Sequence, residues 1–284
     1  MPTIIIVKAL EELGGIEWLG KLLSPIMGLL GLPDALGIVW AATMMTSIVP
    51  GMVVFASVAA EQSLTIAQMT VLGTLMLLAH SLPVEGAVAR RAGVPWLTTL
   101  TLRVGGAIML GLLVRFYYDF TGQGQELISL DWVPESEHGT WRTWLVDQVQ
   151  MLAIIFLVIL ALIFLMRILR RLRIEALLHR VLTPPLRLLG IGPEAANVMV
   201  IGLVLGLSYG AGLLIRDVDK GAMSRRDGYL ALCFLGLAHS LIDDTLLVMM
   251  LGANIVVCVV VRIVFAVLVV WVLSRFYGGR PRKL

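Results

Sequence analysis

The chain has 284 residues, 59% of them hydrophobic and 14% charged, with a formal net charge of +3. A soluble domain carries about a quarter charged residues, so this composition excludes one and assigns the chain to a lipid bilayer. So small a charge balance bears on orientation in the membrane, and no nucleic-acid partner is expected.

The opening residues, MPTIIIVKALEE, lack a basic n-region and run straight into acids, unlike a cleavable signal peptide. Ile16 to Leu30, weakly charged and carrying Trp18, reads as an outer interfacial helix. Ala35 to Ala60 is apolar but interrupted at Pro50 and Gly51, the mark of a discontinuous membrane segment. Leu64 to Leu82 and Val94 to Phe116 read as spans. Asp119 to Asp147 is the longest polar stretch and holds six acids against Arg142. Val149 to Met166 has Gln150 as its one polar side chain, and its eighteen residues suffice to cross about 30 Å of hydrocarbon. Arg170 to Leu189 alternates basic and apolar faces, as a helix lying along inner headgroups does. Ala195 to Ile215 is interrupted at Tyr209 to Gly212. Tyr229 to Leu241, with flanking residues, and Ile255 to Leu273 complete the spans. Cys233 and Cys258 fall inside apolar runs and read as small core residues.

These elements repeat. Pro25, Pro33, Asp34 and Ala35 recur as Pro185, Pro193, Glu194 and Ala195, and Ala79, His80, Ser81 and Leu82 recur as Ala238, His239, Ser240 and Leu241. Arg103 answers Arg262, and Arg115, Phe116 and Tyr117 answer Arg275, Phe276 and Tyr277. A two-fold repeat in a membrane protein sets the functional site between the copies, near the midplane.

Basic residues orient the copies. Arg167 to Arg187, Arg216 to Asp227 and Arg275 to Leu284 hold six, four and four basic residues, and all read as cytoplasmic. Two basic clusters flank Ala195 to Ile215, so that run turns back as a hairpin. The expected fold is an all-α integral membrane protein with an inverted two-fold repeat. Each copy holds an interfacial helix, a re-entrant hairpin and two spans, and one extra span joins them. Repeat 1 covers 1–118 (hairpin about 34–60, spans about 64–82 and 94–116). An extracytoplasmic acidic loop covers 119–147 and the linking helix 148–169. Repeat 2 covers 170–284 (hairpin about 194–215, spans about 228–242 and 254–274). The N-terminus is outside and the C-terminus cytoplasmic, in a multi-pass inner-membrane protein. Seven full spans would make the repeats parallel and break the charge rule at Arg216 to Arg226.

Gly190, Gly192, Pro193, Glu194, Ala195, Ala196 and Asn197, followed by an apolar run to Gly206 and Gly210, resemble the hairpin of the Gate or "nucleoside recognition" family. That family includes spore maturation proteins, the membrane part of FeoB-type ferrous-iron permeases and, more distantly, concentrative nucleoside transporters. Gly31, Leu32, Pro33, Asp34 and Ala35 resemble it more weakly. The resemblance implies inverted repeats and transport, or a place in a larger assembly. It departs at Ser208, Tyr209 and Gly210, where nucleoside carriers place Gln and Glu, and the iron permeases' cysteine has no counterpart.

The doubled ionisable groups are the candidate site, because such groups inside a membrane are costly and functional by default. His239 is followed by Asp243 and Asp244, and His80 by Glu85. On a continuous helix His239 and Asp243 share a face. Two imidazoles and up to three carboxylates, with Ser81 and Ser240 beside them, suit a divalent transition metal, as substrate or ligand, better than Mg²⁺ or Ca²⁺. The metal candidates are His80, Glu85, His239, Asp243 and Asp244. Arg103 and Arg262 need buried anionic partners: Glu85, Asp243, Asp244, or an anionic substrate. Gly51 and Gly210, at the expected hairpin turns, would let freed backbone groups ligate a solute.

Transport is therefore the expected function and no enzymatic activity is expected. The partners are the bilayer, a small molecule or ion, and a homodimer or heteromeric membrane partner. Three alternatives stand: a nucleoside or organic-anion carrier using Arg103 and Arg262, an intramembrane enzyme acting on lipid with histidine as acid or base, and a non-transporting assembly partner. No Walker motif is present.

Overall fold

The computed structural model describes residues 23–59, 62–129, 141–172, 180 and 191–276. Most of both expected interfacial helices, including Trp18 and 173–179, lies outside these residues, as do 130–140 of the acidic loop and the basic tail 277–284. The described chain is all-α apart from one isolated bridge, Thr65 to Leu127.

Among the described residues, five segments are long and apolar enough to cross a membrane: Ile66–Arg91, Trp96–Thr121, Leu145–Leu169, Arg225–Met249 and Val257–Phe276. The chain is thus a multi-spanning membrane protein, and each segment contains most of an expected span. Two are broken internally. Helices α3 (Ile66–Leu78) and α4 (Leu82–Arg91) form the first, and α10 (Arg225–Ala238) and α11 (Asp243–Met249) the fourth. These two are also the most enclosed, with 67% of the apolar window buried in each, against 6% for α7 (Trp141–Arg171). A polar site can sit only where protein replaces lipid, so the broken pair forms the centre, while α7 packs on α2 through Met151 and Ile155 and is otherwise largely uncovered by the chain.

Ahead of each broken segment stand two short packed helices, α1 (Leu36–Met45) with α2 (Ile48–Ala59), and α8 (Pro193–Leu205) with α9 (Leu207–Asp219). The expected turns at Pro50–Gly51 and Tyr209–Gly210 are corrected. The chain turns at Thr46 and Ser47 in the first pair and at Gly206 in the second. Pro50 falls in the first turn of α2, where its missing N–H costs nothing. Gly206 takes φ +94°, which glycine alone adopts without strain.

After each break a helix runs back along the bundle: α5 (Trp96–Leu100) and α6 (Gly106–Thr121) in the first half, α12 (Arg262–Phe276) in the second. A π-helical turn lies at Thr101–Gly105 in one and at Val257–Val261 in the other, beside the buried Arg103 and Arg262.

Hydrogen bonds fix which helix ends lie together. Thr65 caps α3 in a reciprocal capping box with Gln68, and Gln68 Nε2 donates to Gly31 O at 3.1 Å. The loop after α6 joins the same end, with Ile66 N–H on Glu126 O and Ile128 N–H on Leu64 O, both 3.0 Å. Asn254 N–H, just ahead of the last span, donates to Thr70 Oγ1 on α3 at 2.9 Å. At the far end of α12, Ser274 O accepts from Arg226 Nη2 at the start of α10, at 3.4 Å.

Candidate metal centre

A helix broken inside a membrane leaves its last four carbonyls without amide partners, and no water is there to take them. In α3 the last four are all satisfied. Leu75 O accepts from Ala79 N at 3.0 Å, Met76 O from His80 Nδ1 at 3.0 Å, Leu77 O from Arg262 Nη2 at 3.2 Å and Leu78 O from Arg103 Nε at 2.8 Å. In α10, Leu235 O takes His239 Nδ1 at 2.7 Å and Leu237 O takes Arg262 Nε at 2.9 Å, while the following His239 O takes Arg262 Nη2 at 2.8 Å. The doubled histidines and arginines therefore exist, in the first place, as caps of interrupted helices. A cation at a helix C-terminus is also favoured by the dipole.

The chain then leaves each helix through a strained residue. Ser81 and Ser240 have φ +48° and +49°, the two non-glycine residues at positive φ among those described. Each break is stitched to its hairpin, through Ser81 N–H on Thr43 O at 3.1 Å and Leu241 N–H on Leu203 O at 2.7 Å.

Capping fixes the imidazole chemistry. A ring nitrogen facing a carbonyl must carry the proton, so in a neutral ring with Nδ1 donating, Nε2 is a bare acceptor. His80 Nε2 and His239 Nε2 lie 2.9 Å apart. Glu85 Oε1 is 3.2 Å from His239 Nε2 and 3.6 Å from His80 Nε2, and Asp244 Oδ2 is 3.4 Å from His80 Nε2. Three acceptors, His80 Nε2, His239 Nε2 and Glu85 Oε1, thus converge, with Asp244 Oδ2 reaching His80, an arrangement that a cation at its centre would satisfy.

The spacing matches a metal. Ligands at about 2.0 Å from a tetrahedral ion are about 3.3 Å apart, and the three separations among His80 Nε2, His239 Nε2 and Glu85 Oε1 run from 2.9 to 3.6 Å. The ligand atoms of His80, Glu85 and His239 all lie within 4.8 Å of one another. Their other nitrogens donate to backbone carbonyls, the outer support that metal-binding imidazoles have. The protein therefore holds a buried His/Glu/His cluster able to coordinate one metal ion.

Other expected site residues lie elsewhere or act differently. Asp243 does not share a helix face with His239, because α10 ends at Ala238 and Asp243 opens α11. The carboxylate that reaches His80 is Asp244, and Asp243 Oδ1 is buried without a hydrogen-bond partner. Ser81 Oγ donates to Thr46 O, and Ser240 lies against Gly206, so both serines face hairpin turns. Gly51 and Gly210 offer no free backbone amide, since their N–H groups bond Ser47 O and Gly206 O at 3.3 and 3.2 Å. They are packing glycines instead. A Cβ on Gly51 would lie 1.9 Å from Thr43 Oγ1, and one on Gly210 would lie 2.7 Å from Leu235 Cδ1 and 3.1 Å from Gly202 Cα.

Arg103 and Arg262 are fully buried and engaged inside the protein. Arg103 Nη1 pairs with Glu85 Oε2, and Arg262 serves the three carbonyls above. The carbonyls of Met76, Leu77, Leu78, Leu235 and Leu237 escape sequence reasoning. The one available signal is that His80 and His239 each stand four residues after a large apolar residue in both copies, a spacing that lets Nδ1 reach back to that residue's carbonyl.

Comparison with known proteins places these residues. The uncharacterized membrane protein YvoD of Bacillus subtilis (strain 168) is 27% identical over 281 residues, covering 96% of this chain and 88% of the relative. No solved structure matches. Residues 152–255 match the Gate family, described as nucleoside recognition, a stretch that contains α8, α9, His239, Asp243 and Asp244. Gate domains are characteristically non-catalytic transport modules, in agreement with the expectation of no enzyme. The match over residues 152–255 agrees with the resemblance to the Gate family read from the sequence.

Proposed function

We propose that the chain is a carrier or permease that moves a divalent transition-metal cation across a bacterial inner membrane. The ion binds His80, His239 and Glu85, with Asp244 as the fourth ligand, between two inverted repeats. One observation carries this reading: two imidazoles, each tied by Nδ1 to a carbonyl, point bare Nε2 atoms at one another 2.9 Å apart beside carboxylates. Mixed nitrogen and oxygen ligands favour a transition metal over Mg²⁺ or Ca²⁺.

Inverted repeats fit the helix ends. The start of α3 meets the start of the last span at Thr70 and Asn254, and the end of that span meets the start of α10 at Ser274 and Arg226. By those contacts α3 and α10 run in opposite directions. Three of the five spans separate the two starts, an odd number, if both short helix pairs are re-entrant. Repeat 1 is then 1–118 and repeat 2 170–284, with 119–147 and the N-terminus outside and the C-terminus inside. Single cysteines at Ser129 and Ser224 label from opposite sides in this arrangement, and same-side labelling overturns it.

An anionic substrate, nucleoside or organic acid, would call on Arg103 and Arg262. Their work on Glu85 and on helix carbonyls favours the cation instead. The deciding experiment is uptake into proteoliposomes against a panel of divalent metals, nucleosides and organic anions. Metal uptake abolished by His80→Ala or His239→Ala supports the reading, and it should weaken as pH falls because protons compete for Nε2. Anion uptake dependent on Arg262, with every metal ignored, overturns it. No transport of any class, in a folded protein, points to a non-transporting assembly partner.

A further inference from the structure

Glu85 is shared. Its Oε2 is held by Arg103 Nη1 while its Oε1 faces both histidine Nε2 atoms, at 3.2 and 3.6 Å. The corresponding pair in the second copy does not form. Arg262 gives Nε and Nη2 to the Leu237, Leu77 and His239 carbonyls while its buried Nη1 has no hydrogen-bond partner, and among the described residues the Asp244 carboxylate has no arginine within ion-pair distance. Capping alone does not require the Arg103 contact to Glu85, because Nε already satisfies Leu78 O.

We propose that Arg103 is a resident counter-ion that competes with the carried metal for Glu85 and so sets how tightly the site holds its ion. The inference rests on the metal reading above. Counting neutral imidazoles, the ligands carry two negative charges, and Arg103 offsets one before any ion arrives. A storage or structural site would leave both carboxylates unopposed. A carrier must release what it binds, which requires an affinity held below the maximum the ligands could give. As the ion enters, Glu85 shifts its charge from Arg103 to the metal, and as the ion leaves Arg103 takes it back. Arg103 touches the ligand and not the ion, so it is a positioning residue.

The test is Co²⁺ binding to the purified full chain, read by the visible absorption of a tetrahedral Co²⁺ site, with Arg103→Gln, Glu85→Gln, the double variant and Arg262→Gln. Arg103→Gln should tighten Co²⁺ binding about tenfold, a coupling of ordinary size. The gain should vanish in the Glu85→Gln background, and Arg262→Gln should show no gain. Three results overturn the inference alone while wild-type binding keeps the metal reading: weaker binding in Arg103→Gln, unchanged binding, or a gain that survives Glu85→Gln, which would be long-range charge only. A folded wild type that binds no Co²⁺ and no competing Zn²⁺ overturns the metal reading and this inference with it. Should Arg103→Gln fail to fold, infrared difference spectra of the wild type with ¹⁵N-labelled arginine decide. Guanidinium bands that shift on adding Co²⁺ support the exchange, and unshifted bands overturn it.

Discussion

At the break after α3, Ser81 donates to Thr46 O, His80 caps Met76 O, and Glu85 is paired with Arg103. At the break after α10 the backbone does the same thing, with Ser240 at nearly the same φ and His239 capping Leu235 O, yet the charges are wired differently. Arg262 reaches across to the other half at Leu77 O, and Asp244 faces His80 without an arginine. The duplicated parts are those that keep an interrupted helix tolerable in a membrane. The parts that differ set charge, and charge decides what a buried site can hold.

The largest effect separates the two arginines. Arg262 satisfies three carbonyls from both halves, and each one left buried and unpaired costs about 1–3 kcal/mol. Arg262→Met should therefore destabilise the protein by roughly 3–5 kcal/mol, measured by thermal unfolding in detergent, and added metal should not restore it. Arg103→Met orphans one carbonyl and frees Glu85, so metal should recover much of its loss. Equal losses with equal rescue would erase the distinction between the copies.

The histidines, by contrast, should behave alike. Each gives one bare nitrogen, so His80→Ala and His239→Ala should each weaken metal binding by more than about 100-fold, above the 10–100-fold range of residues that only support ligands. Isothermal titration with Zn²⁺ checks this. A large loss in one and none in the other would mean that the ion sits off the shared centre.

Much of this was legible in the sequence, and the exceptions have physical causes. Five spans, a duplication and the pairing of His80 with His239 follow from composition, apolar run length and spacing. The hairpin turns do not, because glycine serves two ends. At Gly206 it permits a positive φ, whereas Gly51 and Gly210 permit two helices to touch, and sequence alone cannot tell these apart. The shared helix face expected of His239 and Asp243 failed for a related reason. The i to i+4 rule assumes an unbroken helix, and the helix ends one residue before His239. Glu85, one of the anions expected beside the arginines, does pair with Arg103, but their other partners are backbone carbonyls, which carry no sequence signature.

Packing glycines give a smaller test. Overfilling a tight contact costs about 1–3 kcal/mol. Gly210→Ala should lie at the upper end, because a new Cβ meets the backbone of Gly202 and the side chain of Leu235. Leu235 O holds His239, so this variant should also loosen metal binding. Gly51→Ala meets Thr43 Oγ1, which can turn away only by giving up its bond to Val39 O, so it should lower stability comparably yet leave binding in place. Equal effects on binding would mean that the first hairpin also braces a histidine.

The smallest effect compares the strained serines. A left-handed conformation costs a non-glycine residue about 1–2 kcal/mol, and glycine escapes most of that while losing backbone entropy in the unfolded state. Ser240 shows no hydrogen bond from its hydroxyl among the described residues, so Ser240→Gly should stabilise the protein by up to about 1 kcal/mol. Ser81 has the same φ, but its hydroxyl holds Thr46 O at the hairpin turn, and a lost hydrogen bond costs about 1 kcal/mol. Relief and loss should nearly cancel, leaving Ser81→Gly close to wild type in thermal unfolding. If both variants stabilise equally, the Ser81 bond contributes nothing and the hairpin is held by the Ser81 amide on Thr43 O alone. If both destabilise, the serines do more at these breaks than tolerate the turn, and Ser240 becomes a candidate for contact with the ion's path.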